Sequence, residues 1–390
     1  MKKIELYAGF EQGPIRPPSE AQSLLIRITR NCPWNFCKFC PVYKNTKFSI
    51  RPVDHVKKDI DAVKKTLDLL MTVAEKDENG NVIPGLTQQA FNNIRHELGA
   101  IDNVAAHAAI NWFVNGMESI FIQDANSLII NPKDLIEILS YLRAAFPGVK
   151  RITSYGRSHS IARISEEDLA SMREAGLNRI HIGLESGSDK VLEIMKKGAD
   201  KETHVKAGRK VVKAGMELSE YVMPGLGGKA LSEDHARETA DALNKINPHF
   251  IRLRSLAIPE SIPLFDDCAE GNFEKMNDYD TAKETLMFIE ALDGITSTFK
   301  SDHILNLFQE VEGVFPHDKE KMTGIIRSFL NMPEETRILY QVGRRTGIFR
   351  TLDDMANPMR AENAKDVCRR MNITKDNADA VIDELISRFI

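Results

Sequence analysis

The sequence lacks an apolar run of about 18 residues, the length that a membrane-spanning helix requires. Its first residues, Met-Lys-Lys-Ile-Glu-Leu, contain no apolar core of a secretion signal. Neither sign of charge dominates, since 52 Lys and Arg residues stand against 56 Asp and Glu residues, for a formal net charge of −4. We therefore expect a cytoplasmic protein without a membrane segment, and the composition does not favour nucleic acid as a partner.

Cysteine is scarce, with five residues in a chain of 390. An odd count, with three of the five in one short loop, argues against a disulfide framework. The other two, Cys268 and Cys368, lie far apart in the sequence. A second 4Fe-4S cluster needs several thiolates close together, so we expect at most one cluster in this chain.

Three cysteines follow directly on a predicted strand in which Leu24 and Ile28 belong to an alternating apolar pattern. The loop Cys32-Pro-Trp-Asn-Phe-Cys37-Lys-Phe-Cys40 has the spacing C-x4-C-x2-C. Clustered thiolates in one flexible loop suit an iron–sulfur cluster, and three ligands leave one iron open to a substrate or cofactor. Zinc would require a fourth ligand at a suitable spacing, which the sequence lacks. We predict that these three cysteines are the cluster ligands.

With Phe39 directly before its last cysteine, the loop resembles that of the radical SAM superfamily, whose usual spacing is C-x3-C-x2-C. This chain has one additional residue between Cys32 and Cys37. The resemblance implies a 4Fe-4S cluster and S-adenosylmethionine (SAM) as cofactors, and an oxygen-sensitive enzyme that cleaves SAM reductively to a 5′-deoxyadenosyl radical. It also implies a reductant such as flavodoxin or ferredoxin. The later motifs look most like those of the coproporphyrinogen-dehydrogenase and elongator-type group.

The middle of the chain alternates between strand and helix patterns. Apolar strand candidates lie at 118–124, 149–155, 179–184, 216–223 and 249–256. Together with the strand before the cysteines they make six βα units, which predict an α/β fold with a parallel sheet. This pattern alone allows either a barrel or an open sheet. The resemblance implies a partial TIM-like (β/α)6 barrel.

Three regions are expected from this pattern together with the resemblance. They are an irregular N-terminal arm over residues 1–21, the barrel over 22–258 and a helical C-terminal domain over 259–390. A helical insertion at about 54–116 makes the first connection between strands unusually long. It is either an elaboration near the mouth of the barrel or a helical buttress without ligand contact.

Ligands of parallel βα folds bind beyond the carboxyl ends of the strands, and polar residues follow each predicted strand. After the second strand come Asp124 and Asn126, where the family usually has a glycine-rich motif that holds the methionyl amino group of SAM. Their alternative role is an Asx turn that leads into a helix. Tyr155 lies at the end of the third strand and is a further candidate for cofactor binding.

The fourth strand ends in His-Ile-Gly-Leu-Glu185-Ser-Gly, which looks like the family motif whose acidic or amide residue contacts SAM. The alternative is that Glu185 caps the helix starting near Asp189. Lys197 lies where related enzymes place a basic residue near the methionine carboxylate. The fifth strand is followed by Pro-Gly-Leu-Gly-Gly at 224–228, a weak signal for the adenosine side and otherwise an ordinary turn.

The sixth strand places Arg252 and Arg254 on one side. We expect Arg254, which is nearer the carboxyl end, to bind either the SAM carboxylate or an acidic substrate, and the alternative is a structural salt bridge. Cys268 is a candidate hydrogen donor that quenches a product radical, although a lone cysteine is more often a packing residue. The segment 301–303, Ser-Asp-His, is interpreted as a helix cap rather than an acid–base pair.

Two other classes of protein remain open at this stage. A non-catalytic iron–sulfur protein for electron transfer or cluster delivery would show cluster spectra without SAM cleavage. A zinc-stabilised βα-barrel binding protein would contain zinc and no iron. The substrate, whether a small molecule or a macromolecule, is not identified by any motif.

Overall fold

The structure is a computed structural model that describes residues 5–388. The chain forms two compact units. The first contains Met1–Pro33, Asn45–His181 and Lys210–Glu217, and the second contains Trp34–Lys44, Ile182–Arg209 and Leu218–Ile390. Among the described residues, no helix is both long enough and apolar enough to cross a membrane.

The strands and helices alternate along most of the chain. The strands are β1 (Leu24–Arg27), β2 (Thr29–Arg30), β3 (Ser49–Ile50), β4 (Ser119–Gln123), β5 (Arg151–Gly156), β6 (Leu177–Glu185), β7 (Glu217–Val222), β8 (Phe250–Leu253), β9 (Thr298–Lys300) and β10 (Gly313–Val314). The helices up to β8 are α1 (Val53–Val73), α2 (Gln88–Leu98), α3 (Asn103–Val114), α4 (Pro132–Ala145), α5 (Ser158–Ile161), α6 (Glu166–Glu174), α7 (Asp189–Ile194), α8 (Lys201–Lys213) and α9 (Ser232–Ile246). The later helices are α10 (Pro263–Ala269), α11 (Asp278–Ala291), α12 (Lys319–Leu330), α13 (Glu334–Arg345), α14 (Pro358–Arg370) and α15 (Ala378–Ser387).

One sheet has eight strands in the order β1-β4-β5-β6-β7-β8-β9-β10. The pairs β1–β4, β4–β5, β7–β8 and β8–β9 are parallel, and β9–β10 is antiparallel. Successive strands of this sheet are neighbours, as in a TIM-like barrel, whereas a doubly wound sheet reverses its strand order. The predicted α/β class with six TIM-like βα units, β1 and β4–β8, is confirmed.

The strands β9 and β10 were not expected, because residues 259–390 were predicted to be helical. These strands are three and two residues long and extend the sheet beyond β8. Alternating patterns are recognised over runs of four to eight residues, so strands this short leave no periodic signal. The domain boundary at 258/259 remains a prediction.

The predicted insertion contains α1, α2 and α3. Helix α1 is amphipathic, and it buries Val56, Ile60 and Leu67. The later part of the insertion contains two helices, because Asp102 begins a new one. Its carboxylate accepts hydrogen bonds from the amides of Val104 and Ala105, at 2.9 and 3.0 Å, as an N-cap does.

The segment that carries the cysteines begins and ends in a two-stranded ladder, in which Thr29 pairs with Ile50 and Arg30 with Ser49. Arg51, directly after β3, forms an ion pair with Asp59 of α1, with 2.5 Å between Nη1 and Oδ2. Both side chains are fully buried. Arg51 Nη1 also donates to the carbonyl of Arg27 at 2.8 Å. The ion pair therefore ties both flanks of the cysteine segment to α1.

Asp59→Ala is expected to lower the free energy of unfolding by about 3 kcal/mol, because it leaves a buried guanidinium without its main partner. This is the lower end of the usual range, since Glu11 remains 3.3 Å from Arg51. Urea denaturation followed by circular dichroism measures the loss. Asp68→Ala on the same helix removes an exposed pair with Lys64 and is expected to cost no more than about 0.5 kcal/mol. Equal losses in the two variants would contradict the prediction.

Candidate functional site

The cysteine loop is held on two sides within the second unit. On one side, the amide of Lys38 donates to the carbonyl of Met195, just after α7, at 3.0 Å. On the other, the amide of Leu264 in α10 donates to the carbonyl of Lys38 at 3.2 Å, and Lys38 Nζ lies 2.7 Å from Asp267 Oδ2. These contacts fix the backbone between Cys37 and Cys40.

A tryptophan and a glycine fix the same loop further. Trp34 Nε1 donates to the carbonyl of Lys196 at 2.7 Å, and its ring lies against Gly198. Gly198 has φ +71°, and a Cβ there would lie 2.4 Å from Trp34 Cζ2. Only glycine satisfies both the left-handed backbone and this close approach. The turn after α7 is thus built to receive the loop.

All five cysteines lie within the described residues, none of them forms a disulfide there, and all are half-buried. Cys37 and Cys40 pack against an apolar cluster, to which Cys268 of α10 also packs. This cluster consists of Phe39, Val191, Met195, Leu226, Ile262, Leu264 and Phe273. Thiols on an apolar surface suit a cluster ligand set, because thiolate is the ligand that iron–sulfur clusters use and a dry shell protects them.

Cys32 belongs to the first unit. Over residues 5–388, no group of three or more Cys, His, Asp and Glu side chains is arranged as metal ligands. The set Cys32, Cys37 and Cys40 therefore remains a prediction.

Glu185 is the last residue of β6 and has a left-handed backbone, with φ +65°. Its Oε1 lies 3.3 Å from Lys197 Nζ, and the two side chains are 13% and 12% exposed. Lys197 Nζ is also 5.7 Å from the ring centroid of Phe39 in the cysteine loop. The structure thus brings together two residues predicted to contact SAM and sets them beside the cysteine loop.

The alternative role of Glu185 as a helix cap is wrong. Helix α7 is capped by Ser188, whose Oγ accepts a hydrogen bond from the amide of Val191 at 3.3 Å. The carbonyl of Glu185 instead accepts from the amide of Met223 at 3.0 Å. Its carboxylate is therefore not used by the helix terminus.

Glu220 in β7 is a candidate that sequence analysis missed. It is fully buried, and neither carboxyl oxygen has a hydrogen-bond partner among the described residues. Burial raises the pKa of Glu220 well above its usual range, the charge of Glu185 raises it further, and Lys197 opposes both effects. The sequence did contain a signal for this residue, namely an acidic residue near the otherwise apolar end of a strand.

Asp124 and Asn126 follow β4 in the first unit, and both are buried in polar contacts. Asp124 Oδ2 accepts hydrogen bonds from Arg27 Nη2 at 2.7 Å and from the amide of Asn31 at 3.2 Å. Asn126 Nδ2 donates to Ser160 Oγ at 2.8 Å. These contacts place Asp124 beside the residue that precedes Cys32.

Tyr155 lies on the same part of the sheet. Its ring packs edge-on against Phe121, with centroids 5.0 Å apart, and lies 5.8 Å from the ring of His181. His181 is buried, with Nε2 3.7 Å from Glu20 Oε1. The three rings form a continuous aromatic layer across β4, β5 and β6.

The two arginines of β8 have different surroundings. Arg252 forms an ion pair with Asp302. The structural salt bridge that was the alternative role for Arg254 is therefore formed by Arg252 instead. Arg254 lies over Tyr221, with 4.5 Å between Cζ and the ring centroid. Among the described residues, Arg254 forms no ion pair, and its buried Nη1 has no hydrogen-bond partner.

The arginines occupy the face of the sheet that helices α9 and α11 do not cover. Tyr221 and Arg252 are paired in the parallel register of β7 and β8, so their side chains point to the same face. Val222 points to the other face and lines a small cavity with residues of α9 and α11. Both arginines therefore project to one side, as the alternation predicted.

The segment Ser301-Asp-His303 is not a helix cap, which corrects the sequence interpretation. No helix begins at residue 304, and Ser301 Oγ donates to the carbonyl of Phe308 at 2.5 Å. Burial, helped by the charge of Arg254, lowers the pKa of His303 to about 4. His303 is therefore neutral at pH 7.

The glycines after β7 form a turn. Gly225 and Gly228 have φ +86° and +59°, and the amide of Gly225 donates to Glu284 Oε1 of α11 at 2.6 Å. Left-handed backbone is the reason for glycine at these positions.

Known proteins match this chain over part of its length. The tRNA uridine(34) acetyltransferase of Methanocaldococcus infernus is 23% identical over 111 residues, 28% of this chain and 21% of that protein. Coproporphyrinogen III oxidase from Escherichia coli, described as a radical SAM enzyme, superposes with a TM-score of 0.43 and 14% identity, over 69% of this chain and 52% of that one. Methylornithine synthase gives a TM-score of 0.42 at 13% identity, over 72% and 66%. This chain thus spans about a fifth of the acetyltransferase and about half of the oxidase.

TM-scores of this size carry no functional conclusion. Residues 108–243 match the family described as the radical SAM superfamily. The match lies inside the predicted barrel, 22–258, and includes β4 to β7 with Glu185, Lys197 and Glu220. Over this part of its length, the chain is similar to the radical SAM superfamily.

Proposed function

We propose that this chain is a radical SAM enzyme that binds one 4Fe-4S cluster through Cys32, Cys37 and Cys40. When bound, the cluster and SAM supply the chemistry of the reaction, which uses one electron from an external reductant such as flavodoxin or ferredoxin. That chemistry yields a 5′-deoxyadenosyl radical, which abstracts hydrogen from an unidentified substrate. The observation that carries the proposal is the juxtaposition of Lys197 with Phe39 and Glu185, 5.7 Å from the ring and 3.3 Å from the carboxylate. It joins the cysteine loop to the exit of β6.

Lys197 and Glu185 have complementary proposed roles. The ammonium of Lys197 would bind the carboxylate of SAM, and the carboxylate of Glu185 would accept hydrogen bonds from SAM. Their mutual contact of 3.3 Å is longer than the 2.7–2.9 Å of a strong charged hydrogen bond. Both groups therefore keep bonding capacity for a ligand.

Glu220 is proposed to act beside this pair as a neutral acid. A protonated carboxyl group can donate a hydrogen bond, which the carboxylate of Glu185 cannot do. Its burial keeps the proton in place, because ionisation would put a second negative charge near Glu185. The site would then offer an ammonium, a carboxylate and a carboxylic acid.

Asp124, Asn126 and Tyr155 remain proposed cofactor contacts. Hydrogen bonds orient the first two, since Asp124 accepts from Arg27 and Asn126 Oδ1 accepts from the amide of Arg157 at 2.9 Å. Ordered polar groups of this kind bind a ligand without losing further side-chain freedom.

Cys268 is proposed as a hydrogen donor to a product radical. It packs against the same apolar cluster as Cys37 and Cys40. Burial raises the pKa of its thiol above the usual value, so the S–H form persists at neutral pH. That form is the one that can give a hydrogen atom.

The decisive experiment is anaerobic reconstitution with iron and sulfide, followed by dithionite and SAM and measurement of 5′-deoxyadenosine. A radical SAM enzyme forms this product. A cluster spectrum without the product would indicate the alternative, an electron-transfer or cluster-delivery protein. Zinc without iron after anaerobic purification would indicate a zinc-stabilised binding protein.

Replacing Cys32, Cys37 or Cys40 by Ala is expected to abolish cluster assembly, because each removes one of three thiolate ligands. Iron and sulfide content after reconstitution, with the visible absorption spectrum, measures this. Cys268→Ala and Cys368→Ala are the matched controls and should retain iron. Iron content like that of the wild type in Cys37→Ala would refute the ligand assignment.

Glu185→Ala is expected to leave the cluster spectrum intact and to weaken SAM binding by roughly 1.5–3 kcal/mol, the scale of a hydrogen bond to a charged group. Equilibrium binding of SAM to the reconstituted protein measures the change. Glu193→Ala, an exposed site on α7, is the control and should bind SAM normally. Unchanged SAM affinity in Glu185→Ala would remove this residue from the cofactor site.

Glu220→Gln is expected to stabilise the protein increasingly as pH rises from 5 to 9. The folded-state pKa of Glu220 is raised, so its favourable neutral form is fully present below the unfolded pKa of about 4.3 and is lost as pH rises through the folded value. Glutamine does not ionise. Thermal unfolding of Glu220→Gln and of the wild type at several pH values measures the difference in stability between them. Glu217→Gln at the start of the same strand is the control. A stability difference between Glu220→Gln and the wild type that stayed constant with pH would contradict the prediction.

A further inference from the structure

The carboxyl end of β8 carries more positive charge than its surroundings balance. Arg252 and Arg254 lie on one face, and Asp302, directly after β9, pairs with Arg252. Arg252 is 7% exposed in this pair, so the carboxylate of Asp302 balances its charge inside the protein. The guanidinium of Arg254 is left in excess.

Arg254 is oriented although it forms no ion pair among residues 5–388. Its guanidinium stacks on Tyr221, with Cζ 4.5 Å from the ring centroid, and its amide donates to the carbonyl of Val222 at 2.8 Å. Stacking fixes the plane of the guanidinium and leaves its edge for hydrogen bonds. Nη1 is buried and has no partner within the described residues. A buried donor of this kind is costly unless a ligand satisfies it.

His303 adds a neutral polar group near this guanidinium. Its Nδ1 is buried without a hydrogen-bond partner in the described chain. Because the imidazole is uncharged at pH 7, it can hydrogen-bond to a ligand without adding charge. The net charge of Arg252, Asp302, Arg254 and the neutral His303 is therefore +1.

We propose that Arg254 and His303 form a substrate site that binds the carboxylate of a small molecule. The site lies where a parallel βα fold binds its ligands, beyond the carboxyl ends of β8 and β9. A planar carboxylate matches the edge of a guanidinium, and one negative charge balances one positive charge. A doubly charged phosphate would leave one charge unanswered in a buried place.

The proposal rests on the proposed radical SAM function, in which Lys197 serves the carboxylate of SAM. SAM has a single carboxylate, so Arg254 is available for a second anion. This assigns the substrate, and not the cofactor, to the face of β8 that carries the arginines.

The test titrates acetate into the protein without SAM and follows the imidazole resonances by NMR after ¹⁵N-histidine labelling, with His303→Gln to assign the signal. Acetamide is the neutral isostere, and inorganic phosphate, titrated at pH 8 where it is mainly doubly charged, is the dianion. We expect acetate to shift the His303 signal at lower concentration than acetamide or phosphate. Arg254→Gln should weaken acetate binding about tenfold or more, the loss of a charge-assisted hydrogen bond.

Arg337→Gln is the matched control, because Arg337 also stacks on a tyrosine, with 4.3 Å to the ring centroid of Tyr279. It should bind acetate as the wild type does. Should Arg254→Gln fail to fold by circular dichroism, Arg254→Lys keeps the charge without the planar fork and should still lose affinity.

Equal binding of acetate and acetamide, or acetate binding unaffected in Arg254→Gln and Arg254→Lys, would overturn the proposal. Tighter phosphate binding would overturn the ligand class. Loss of SAM affinity in reconstituted Arg254→Gln, with acetate binding intact, would make Arg254 a cofactor ligand. If the reconstituted wild type yields no 5′-deoxyadenosine, the proposed function fails, while the acetate titration still decides the carboxylate site.

Discussion

The buried ion pair between Arg51 and Asp59 is the contact on which the cysteine segment depends. It lies directly after β3, where the segment ends, and Arg51 also hydrogen-bonds the carbonyl of Arg27, close to where the segment begins. A loop that must hold thiols in a fixed arrangement loses considerable conformational freedom. Tying both flanks to α1 lowers that loss, since only the residues between the strands β2 and β3 remain to be ordered.

Within the second unit, the same segment is ordered by quite different contacts. Backbone hydrogen bonds to the end of α7 and to α10 hold Lys38, and Trp34 covers Gly198. The turn that carries Lys197 is the one that contacts this tryptophan. A change in the turn after α7 is therefore expected to affect both the cysteine loop and the pair of Glu185 and Lys197.

Charged groups at the strand ends divide into those with partners and those without. Asp124 has Arg27, and Arg252 has Asp302, so the opposite charges within each pair balance. Glu220 has no partner for its carboxyl group, and Arg254 has none for its buried Nη1, among the described residues. Buried polar groups without partners are rare in proteins, so both of these need an explanation, and a ligand is one.

The sequence by itself determined the features that depend on neighbouring residues. Strand and helix patterns predicted the helical insertion and the six βα units, and the N-caps Asn131 and Ser165 are residue types that favour this position. The three clustered cysteines stood out by spacing, whereas Glu185 and Lys197 were candidates through the family resemblance. Only the tertiary structure decided which charged side chains form ion pairs, because Asp302 lies 50 residues beyond Arg252. It likewise revealed Glu220 and the neutral His303, since burial and the charges around a side chain come from the packing of distant strands.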